Sequence, residues 1–232
     1  MGIIQIAGVL DVEDARTLVD CDVDWVGIPL RLPVHTPDVD DAGAARIASA
    51  VGPGRTVVIT YLTNPEEITS LCCGIGVDKV QLHGDVSPEA LAALRTRAPR
   101  LFVIKSVIIR PSVPRTELAR EARAAEPYVD MFIADSHDPR TGADGATGLV
   151  HDWTVSTALA RELSRPFLLA GGLRPDNVKE AIETVTPAGV DAHTGVEAPD
   201  GRNDPELVRR FVTRARAAFA ARTNAQAHRR QP

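Results

Sequence analysis

The stretch Phe167–Val178, which reads FLLAGGLRPDNV, decides the fold. Its first four residues form an apolar run typical of a buried strand, and two glycines end that run. Pro175 and Asp176 follow where the first turn of a helix prefers them. The stretch Gly189–Glu197, which reads GVDAHTGVE, repeats the change from an apolar run to a turn. Two such turns at one edge of a parallel sheet present backbone N–H groups and a helix dipole that favour an anion such as phosphate.

The same alternation of strand and helix extends over the chain. Eight short apolar runs are predicted as strands, at residues 2–6, 25–30, 56–62, 79–83, 101–107, 131–135, 167–170 and 190–192. The predicted helices cover residues 12–19, 42–51, 65–72, 88–97, 116–124, 154–162, 175–184 and 205–221. Apolar strands of this kind are typical of a parallel sheet covered by helices. The sequence therefore predicts one α/β domain, a single (β/α)8 TIM barrel over residues 1–222, with a disordered polar tail over residues 223–232.

Composition excludes several classes of protein. The chain has 232 residues, 44% of them hydrophobic and 25% charged, with a formal net charge of −5. This is ordinary for a globular protein. No Lys/Arg cluster with interleaved aromatics points to nucleic acid, and no apolar run approaches the length of a membrane span. A cytoplasmic location is expected, and the three cysteines (Cys21, Cys72 and Cys73) are predicted to be reduced thiols without metal-binding spacing.

In a (β/α)8 barrel the functional groups lie at the carboxyl ends of the strands. This rule selects a set of candidate residues from the sequence: Ala7, Gly8, Arg31, His35, Tyr61, His83, Gly84, Lys105, Asp135, His137, Gly171, Gly172, His193 and Thr194. Four of these are histidines at the ends of strands two, four, six and eight. They could bind a metal ion, but no two have close ligand spacing, so separate roles and no metal are the preferred interpretation.

Several motifs occur in an order that is characteristic of one family. They are Val80–Gly84 (VQLHG), Asp135, Gly145–Gly148 (GATG) with Asp152-Trp153 after it, Ala170–Val178, and Gly195–Glu197. Together they resemble the phosphoribosylanthranilate isomerase family over residues 3–220. The resemblance implies a TIM barrel that binds a phosphate ester. It also implies an Amadori rearrangement in tryptophan biosynthesis, in which a phosphoribosylamine is ring-opened and isomerised by a general acid and a general base.

The resemblance also assigns roles to individual residues. Asp135 matches the family's general acid, and Gly171 and Gly172 match its first phosphate-binding turn. Thr194 and Gly195 fall in the second phosphate turn, where the family has Ser-Ser-Gly. His193 replaces the first serine of that turn.

Two parts of the family pattern are missing. The family opens with Lys-Ile-Cys-Gly, whose cysteine is the general base, whereas Gln5–Gly8 reads QIAG here. Ala7 cannot accept a proton, and the loss of a positioned base typically costs about 10²–10⁴-fold in rate. The Ser-Pro-Arg segment that contacts the anthranilate end is also absent. Arg31 and His35 are candidate replacements for it, and Lys105 is a third candidate substrate-binding residue, through its charge or through a Schiff base.

Three functions follow from this pattern. The leading interpretation is an aldose–ketose type isomerase with an altered substrate and Asp135 as its acid. The second is the original isomerase of tryptophan biosynthesis with His83 or His193 as a substitute base, which the pKa of an imidazole would suit. The third is a phosphosugar-binding protein without catalysis. No cofactor is expected, and the chain is predicted to be a monomer or a homodimer.

Overall fold

The computed structural model describes residues 2–32, 39–138, 143–144 and 148–228. The strands are β1 (Ile3–Ala7), β2 (Trp25–Leu30), β3 (Thr56–Thr60), β4 (Lys79–Leu82), β5 (Phe102–Ile109), β6 (Met131–Asp138), β7 (Ala143–Asp144), β8 (Phe167–Leu169) and β9 (Gly189–Ala192). The helices are α1 (Val12–Asp20), α2 (Asp41–Val51), α3 (Pro65–Ile75), α4 (Pro88–Arg97), α5 (Arg115–Ala125), α6 (Trp153–Glu162), α7 (Val178–Val185) and α8 (Pro205–His228). Short 3₁₀ helices cover Glu126–Tyr128 and Thr194–Val196.

Eight of the strands form a closed parallel barrel. Their order is β5-β4-β3-β2-β1-β9-β8-β6, and a further pairing of β5 with β6 closes the ring. The two-residue strand β7 pairs antiparallel with the end of β6. The prediction of a single (β/α)8 barrel is confirmed.

The hydrophobic core has two parts, as expected when one face of each strand points into the barrel and the other towards the helices. Apolar side chains from five strands (β1, β3, β5, β6 and β8) and from the residue just after β8 fill the barrel interior: Ala7, Val57, Ile59, Ile104, Met131, Ile133, Leu168 and Ala170. A larger cluster lies between the strands and the helices. Three buried polar residues (Gln5, Gln81 and Asp191) form a polar layer within the interior.

Several helices are capped at their N-termini by a polar side chain from the residue just before them. Asp11, Asn64 and Ser87 each accept a hydrogen bond from a backbone N–H in the first turn of α1, α3 and α4, respectively. Such caps satisfy N–H groups that have no partner within the helix. In the described ranges, no helix combines the length and the apolar character needed to cross a membrane.

The predicted start of α7 at Pro175 was wrong. The helix begins at Val178, because Asn177 closes the preceding residues into a turn. Its Nδ2 donates to the carbonyl oxygen of Gly172 at 3.0 Å, and its Oδ1 accepts from the backbone N–H of Arg174 at 2.8 Å. A side-chain amide therefore makes the bonds that helical backbone would otherwise supply.

The last helix also departs from the prediction. α8 continues to His228, so residues 223–228, predicted as part of a disordered tail, are helical. No proline or glycine occurs between Thr223 and His228, and the alanines there favour helix propagation. The hydroxyl of Thr223 donates to the carbonyl oxygen of Phe219 within the helix.

Candidate active site

The candidate site lies in the barrel mouth, above the buried polar layer. Side chains alternate along a strand, so the inward residues Gln81 and Asp191 are followed two positions later by His83 and His193. Gln5 and Gln81 cross the interior with a 2.9 Å side-chain hydrogen bond. The same alternation on β6 turns Asp135 inward. The mouth therefore combines one carboxyl group with two imidazoles.

Asp135 and His83 are brought together at the ends of β6 and β4. Oδ1 of Asp135 accepts the backbone N–H of Ser136 at 2.7 Å, and its Oδ2 lies 3.9 Å from Nε2 of His83. Nδ1 of His83 lies 2.9 Å from the hydroxyl of Ser106, and its ring contacts that of Tyr61 with centroids 5.0 Å apart. Both Asp135 and His83 are buried. These contacts orient the imidazole on the same side of the mouth as Asp135.

Asp191 is a second inward carboxyl group, which the sequence analysis did not single out. Burial raises its pKa to about 8, and the neighbouring charge of Asp135 adds to the increase. Gln5 lies opposite it in the β1–β9 register. In the part of the chain that the structure describes, Oε1 of Gln5 and one oxygen of Asp191 are buried without a hydrogen-bond partner. One sequence feature could have indicated Asp191: it lies two residues before His193, on a strand that is otherwise apolar.

His193 lies against the end of β1, where the cysteine of the family pattern is missing. Ile6 and Ala192 are register partners, so the next residues, Ala7 and His193, lie side by side. The imidazole packs directly on Gly8, because a Cβ atom on that glycine would overlap its Nε2. The same Nε2 lies 2.9 Å from Oε1 of Glu197.

The glycine turns predicted to hold phosphate converge on one side of the mouth. Gly171 and Gly172 both have positive φ, +86° and +62°, and a Cβ on Gly172 would lie 2.6 Å from the carbonyl carbon of Leu149. The carbonyl oxygen of Leu173 touches Gly195 so closely that a Cβ there would overlap it. The 3₁₀ helix begins at Thr194. The predicted residues Gly171, Gly172, Thr194 and Gly195 are therefore adjacent, and their role in phosphate binding stays a prediction.

His151 lies beside this turn and was missed by the sequence analysis. Its Nε2 lies 2.6 Å from the hydroxyl of Ser156, and burial lowers its pKa to about 4. A Cβ on Gly171 would lie 2.8 Å from its Nδ1, which is buried without a hydrogen-bond partner among the described residues. His151 is thus a neutral imidazole at neutral pH.

Lys105 does not face the barrel mouth, contrary to its prediction as a substrate-binding residue. It alternates with the inward residues Ile104 and Ser106, so its side chain points towards the helices. Its Nζ donates to the carbonyl oxygens of Gly84 and Ser106 at 3.1 and 2.9 Å. Burial lowers its pKa to about 8. Lys105 lines a cavity of about 610 Å³ beside α5.

Of the two residues predicted to replace the Ser-Pro-Arg segment, the structure describes only Arg31. Arg31 has a left-handed backbone, with φ of +58°, and its guanidinium pairs with Asp41 at 2.6 Å. His35 lies outside the described residues, as do residues 139–142 and 145–147. Arg31 and His35 stay predictions as substrate-binding residues.

Neither metal ligands nor thiols are gathered at the mouth in the described ranges. No group of three or more His, Cys, Asp or Glu side chains suited to a metal ion is found there. Cys21 and Cys72 are buried, and burial raises the pKa of the Cys72 thiol to about 12. Cys73 is exposed on α3.

Fold and site together define a class of protein, the (β/α)8 barrels with acid–base groups and glycine turns at the carboxyl ends of the strands. Within this class, the chain belongs to the N-(5'phosphoribosyl)anthranilate (PRA) isomerase family, whose sequence model matches residues 4–214. The resemblance inferred from the motifs is thereby confirmed.

Individual relatives agree with this assignment. The chain is 37% identical over 219 residues to N-(5'-phosphoribosyl)anthranilate isomerase 2 of Methanosarcina mazei, covering 93% of this chain and 95% of the relative. Phosphoribosyl anthranilate isomerase from Thermotoga maritima superposes with a TM-score of 0.77 at 28% identity, over 94% of this chain and all of that one. A PRA isomerase solved with reduced 1-(o-carboxyphenylamino)-1-deoxyribulose 5-phosphate gives a TM-score of 0.75 at 26% identity, with the same coverage. These similarities favour the second interpretation, the original isomerase with a substitute base, over a changed substrate.

Proposed function

We propose that the protein is a PRA isomerase of tryptophan biosynthesis, which converts N-(5'-phosphoribosyl)anthranilate to the 1-deoxyribulose 5-phosphate isomer. The observation that supports this most directly is 37% identity to the Methanosarcina mazei isomerase over 93% of the chain. This proposal replaces the altered-substrate interpretation, which rested on the loss of the cysteine and of the Ser-Pro-Arg segment.

The first chemical step requires a proton donor at the sugar ring. Asp135 transfers a proton to the ring oxygen, the bond between that oxygen and C1 breaks, and the nitrogen lone pair forms an iminium ion. The charge of Asp135 contributes to the raised pKa of the neighbouring Asp191. Asp135 is assigned as the general acid because it matches the family's acid and faces the mouth from β6.

The second step requires a base at C2. Removal of the C2 proton leaves its electron pair to form a C1–C2 double bond, which neutralises the iminium nitrogen and gives an enol that tautomerises to the ketone. His83 and His193 both lie at the mouth among the described residues, and the sequence leaves both as candidates for the base. The phosphate of the substrate is held at Gly171, Gly172, Thr194 and Gly195, where backbone N–H groups at turns favour anions.

The proposal is tested by measuring the turnover of PRA by the purified protein. We expect turnover, and we expect Asp135→Asn to lower kcat by about 10²-fold or more, as for loss of a general acid. Asp20→Asn is the matched control, because Asp20 is exposed at the end of α1, away from the mouth. Expression in a tryptophan auxotroph that lacks the isomerase should restore growth.

The alternatives give different results. Binding of a phosphate ester without turnover, together with failure to complement, would support the non-catalytic interpretation. Turnover of another phosphosugar but not of PRA would restore the altered-substrate interpretation.

A further inference from the structure

We propose that Lys105 is a covalent modification site, whose amine forms a Schiff base with a short-chain aldehyde that enters the cavity beside α5. Lys105 points to the helix side of β5, whereas the proposed reaction is assigned to groups that face the mouth. The inference therefore goes beyond the proposed function and does not depend on it.

The cavity has room for a small ligand next to the amine. Its volume is about 610 Å³, and it is bounded by β5, α5 and the loop after β4. Small-molecule sites in proteins have volumes of about 300–1,000 Å³ and walls that are mostly apolar. Val113, Leu118 and Phe132 form an apolar part of this wall, which suits a short aliphatic chain. Lys105 belongs to the same wall and is only half-buried, so a solute in the cavity has access to its side chain.

The amine of Lys105 has only neutral hydrogen-bond partners in the described part of the chain. Its Nζ donates to the backbone carbonyl oxygens of Gly84 and Ser106 at 3.1 and 2.9 Å, and it makes no ion pair with a carboxylate there. Carbonyl oxygens satisfy N–H groups but do not neutralise a positive charge. Because the ammonium ion is removed from water without a counter-ion beside it, the neutral amine is favoured.

The charges around the cavity do not remove this imbalance. Burial lowers the pKa of Lys105 to about 8. The charges of Asp85 and Glu121 oppose the decrease, and that of Arg110 adds to it. On α5, the two glutamates that line the cavity pair with the arginine that also lines it. The other titratable groups in the wall are Tyr61, His83, Glu117 and Arg120.

Lys105 also differs from the other lysines of the chain. Only three of the 26 lysines and arginines are lysines, namely Lys79, Lys105 and Lys179. Nζ of Lys79 lies 3.0 Å from Asp78, and that of Lys179 lies 3.8 Å from Glu183 on α7. A neighbouring carboxylate favours the charged ammonium ion, which has no lone pair for nucleophilic attack. The other two lysines are therefore internal references for the reactivity of Lys105.

The aldehyde is the only co-reactant that the step requires. The lone pair of the neutral Nζ attacks the aldehyde carbon, and the electron pair of the C=O bond moves to the oxygen. Transfer of one Nζ proton to that oxygen gives a carbinolamine. The nitrogen lone pair then forms the C=N bond, and the hydroxyl group leaves and combines with the second Nζ proton as water. Desolvated lysines react with carbonyl compounds in this way.

The test uses the full-length protein with propanal and cyanoborohydride, which reduces the C=N bond and makes the adduct permanent. Peptide mapping by mass spectrometry gives the labelling rate of each lysine, apart from that of the N-terminal amine. At pH 7 we expect Lys105 to react at least about tenfold faster than Lys179. With a pKa of about 8, roughly one tenth of Lys105 is neutral at this pH, against less than about one thousandth of an ordinary lysine. The rate at Lys105 should level off above about pH 9, while that at Lys179 continues to rise.

Two variants check which amine reacts. Lys105→Arg keeps a cation but removes the reactive amine, so early labelling should be confined to the N-terminal amine. Lys179→Arg is the matched control, because it should leave the early labelling of Lys105 unchanged. In guanidinium chloride, where the fold is lost, Lys105 and Lys179 of the wild type should react at the same rate. A Lys105 that remains faster there would attribute the reactivity to the local sequence and overturn the role of the cavity.

Two further results would contradict the proposal. Labelling of Lys105 no faster than that of Lys179 in the folded protein would overturn it, as would two rates that rise in parallel up to pH 10. A dextran polymer that carries aldehyde groups is too large for the cavity, so it should label Lys179 and not Lys105. Equal labelling of both lysines by the polymer would show that the amine is at the open surface, and would overturn the assignment to the cavity.

Discussion

At the scale of single residues, Gly8 determines where the imidazole of His193 can lie. The glycine has a positive φ of +84°, and any Cβ atom there would overlap the ring nitrogen. The position therefore needs glycine for two separate reasons, the backbone conformation and the close approach of a side chain. Gly52 shares only the first reason, because its φ is +89° and nothing lies within 4 Å of a Cβ placed on it.

We expect Gly8→Ala to lower kcat/KM by about 10²-fold, because it displaces the imidazole from its position. Both Gly8→Ala and Gly52→Ala should lose about 1 kcal/mol of stability from the left-handed backbone. Urea unfolding measures this shared effect, and PRA turnover measures the effect that is specific to Gly8. Equal activity in the two variants would contradict the contact between Gly8 and His193.

Asp191 makes the stability of the barrel depend on pH. An aspartate in the unfolded chain ionises near a pKa of about 3.9, whereas the folded protein keeps the proton of Asp191 up to about pH 8. Between these values the folded state binds the extra proton. Its free energy of unfolding therefore falls as the pH rises through this window.

Asp191→Asn should remove this contribution. The stability of the variant relative to wild type should increase by at least about 1 kcal/mol between pH 4.5 and pH 8, because the neutral amide does not titrate. Denaturant unfolding at a series of pH values measures the difference, with Asp20→Asn as the exposed control. Parallel pH curves for wild type and Asp191→Asn would show that the carboxyl ionises normally in the fold.

At the scale of elements, the two turns after β8 and β9 depend on each other. The carbonyl oxygen of Leu173 in the first turn touches Gly195 in the second, and Asn177 holds the first turn through the carbonyl oxygen of Gly172. A side chain at residue 195 would therefore separate the turns. The postponed start of α7 belongs to the same arrangement, because Asn177 is used to shape the turn before the helix begins.

Gly195→Ala should weaken the binding of a phosphate ester by at least about tenfold, since separated turns no longer present their N–H groups to one anion. Gly74→Ala is the control, because Gly74 lies within α3 with nothing inside 4 Å of a Cβ. That change should stabilise the protein by about 0.5–1 kcal/mol without affecting binding. Calorimetric titration with ribose 5-phosphate tests both variants, and unchanged binding in Gly195→Ala would contradict the predicted phosphate site.

At the scale of the whole molecule, the described surface contains few apolar residues of the kind that bury stable interfaces. Among the described residues, only two large hydrophobic residues are exposed: Leu149, with 40% of its surface accessible, and Val150, with 45%. They follow Gly148, and their backbone lies over Gly172, so they belong to the mouth of the barrel. Obligate dimer interfaces are larger and more apolar than two such residues provide.

Of the two oligomeric states left open by the sequence, we therefore expect the monomer. Sedimentation equilibrium at micromolar concentration should give the chain mass of 24.8 kDa. A species of twice this mass would contradict the expectation. In that case Leu149→Ser with Val150→Ser would show whether the mouth forms the interface, by returning the mass to that of one chain.

The sequence determined the architecture because apolar periodicity and turn residues are local signals. Eight apolar runs predicted eight barrel strands, and the predicted start of α3 at Pro65 agrees with the structure. The strand-end rule also selected Asp135, His83 and His193 correctly as residues at the mouth. The motifs taken together, from Val80–Gly84 to Gly195–Glu197, were sufficient to identify the family.

Other features depended on contacts between residues distant in the chain, and only the tertiary structure decided them. Lys105 lies between the inward residues of β5, so its side chain points out of the barrel interior. Asp191 could be recognised as a functional candidate only from its burial and its proximity to Asp135. Neither His83 nor His193 could be preferred from sequence, because 110 positions separate them and their distances from Ala7 depend on how the barrel closes. Barrel closure sets β9 beside β1, and that pairing places His193 where the cysteine of the family pattern is missing.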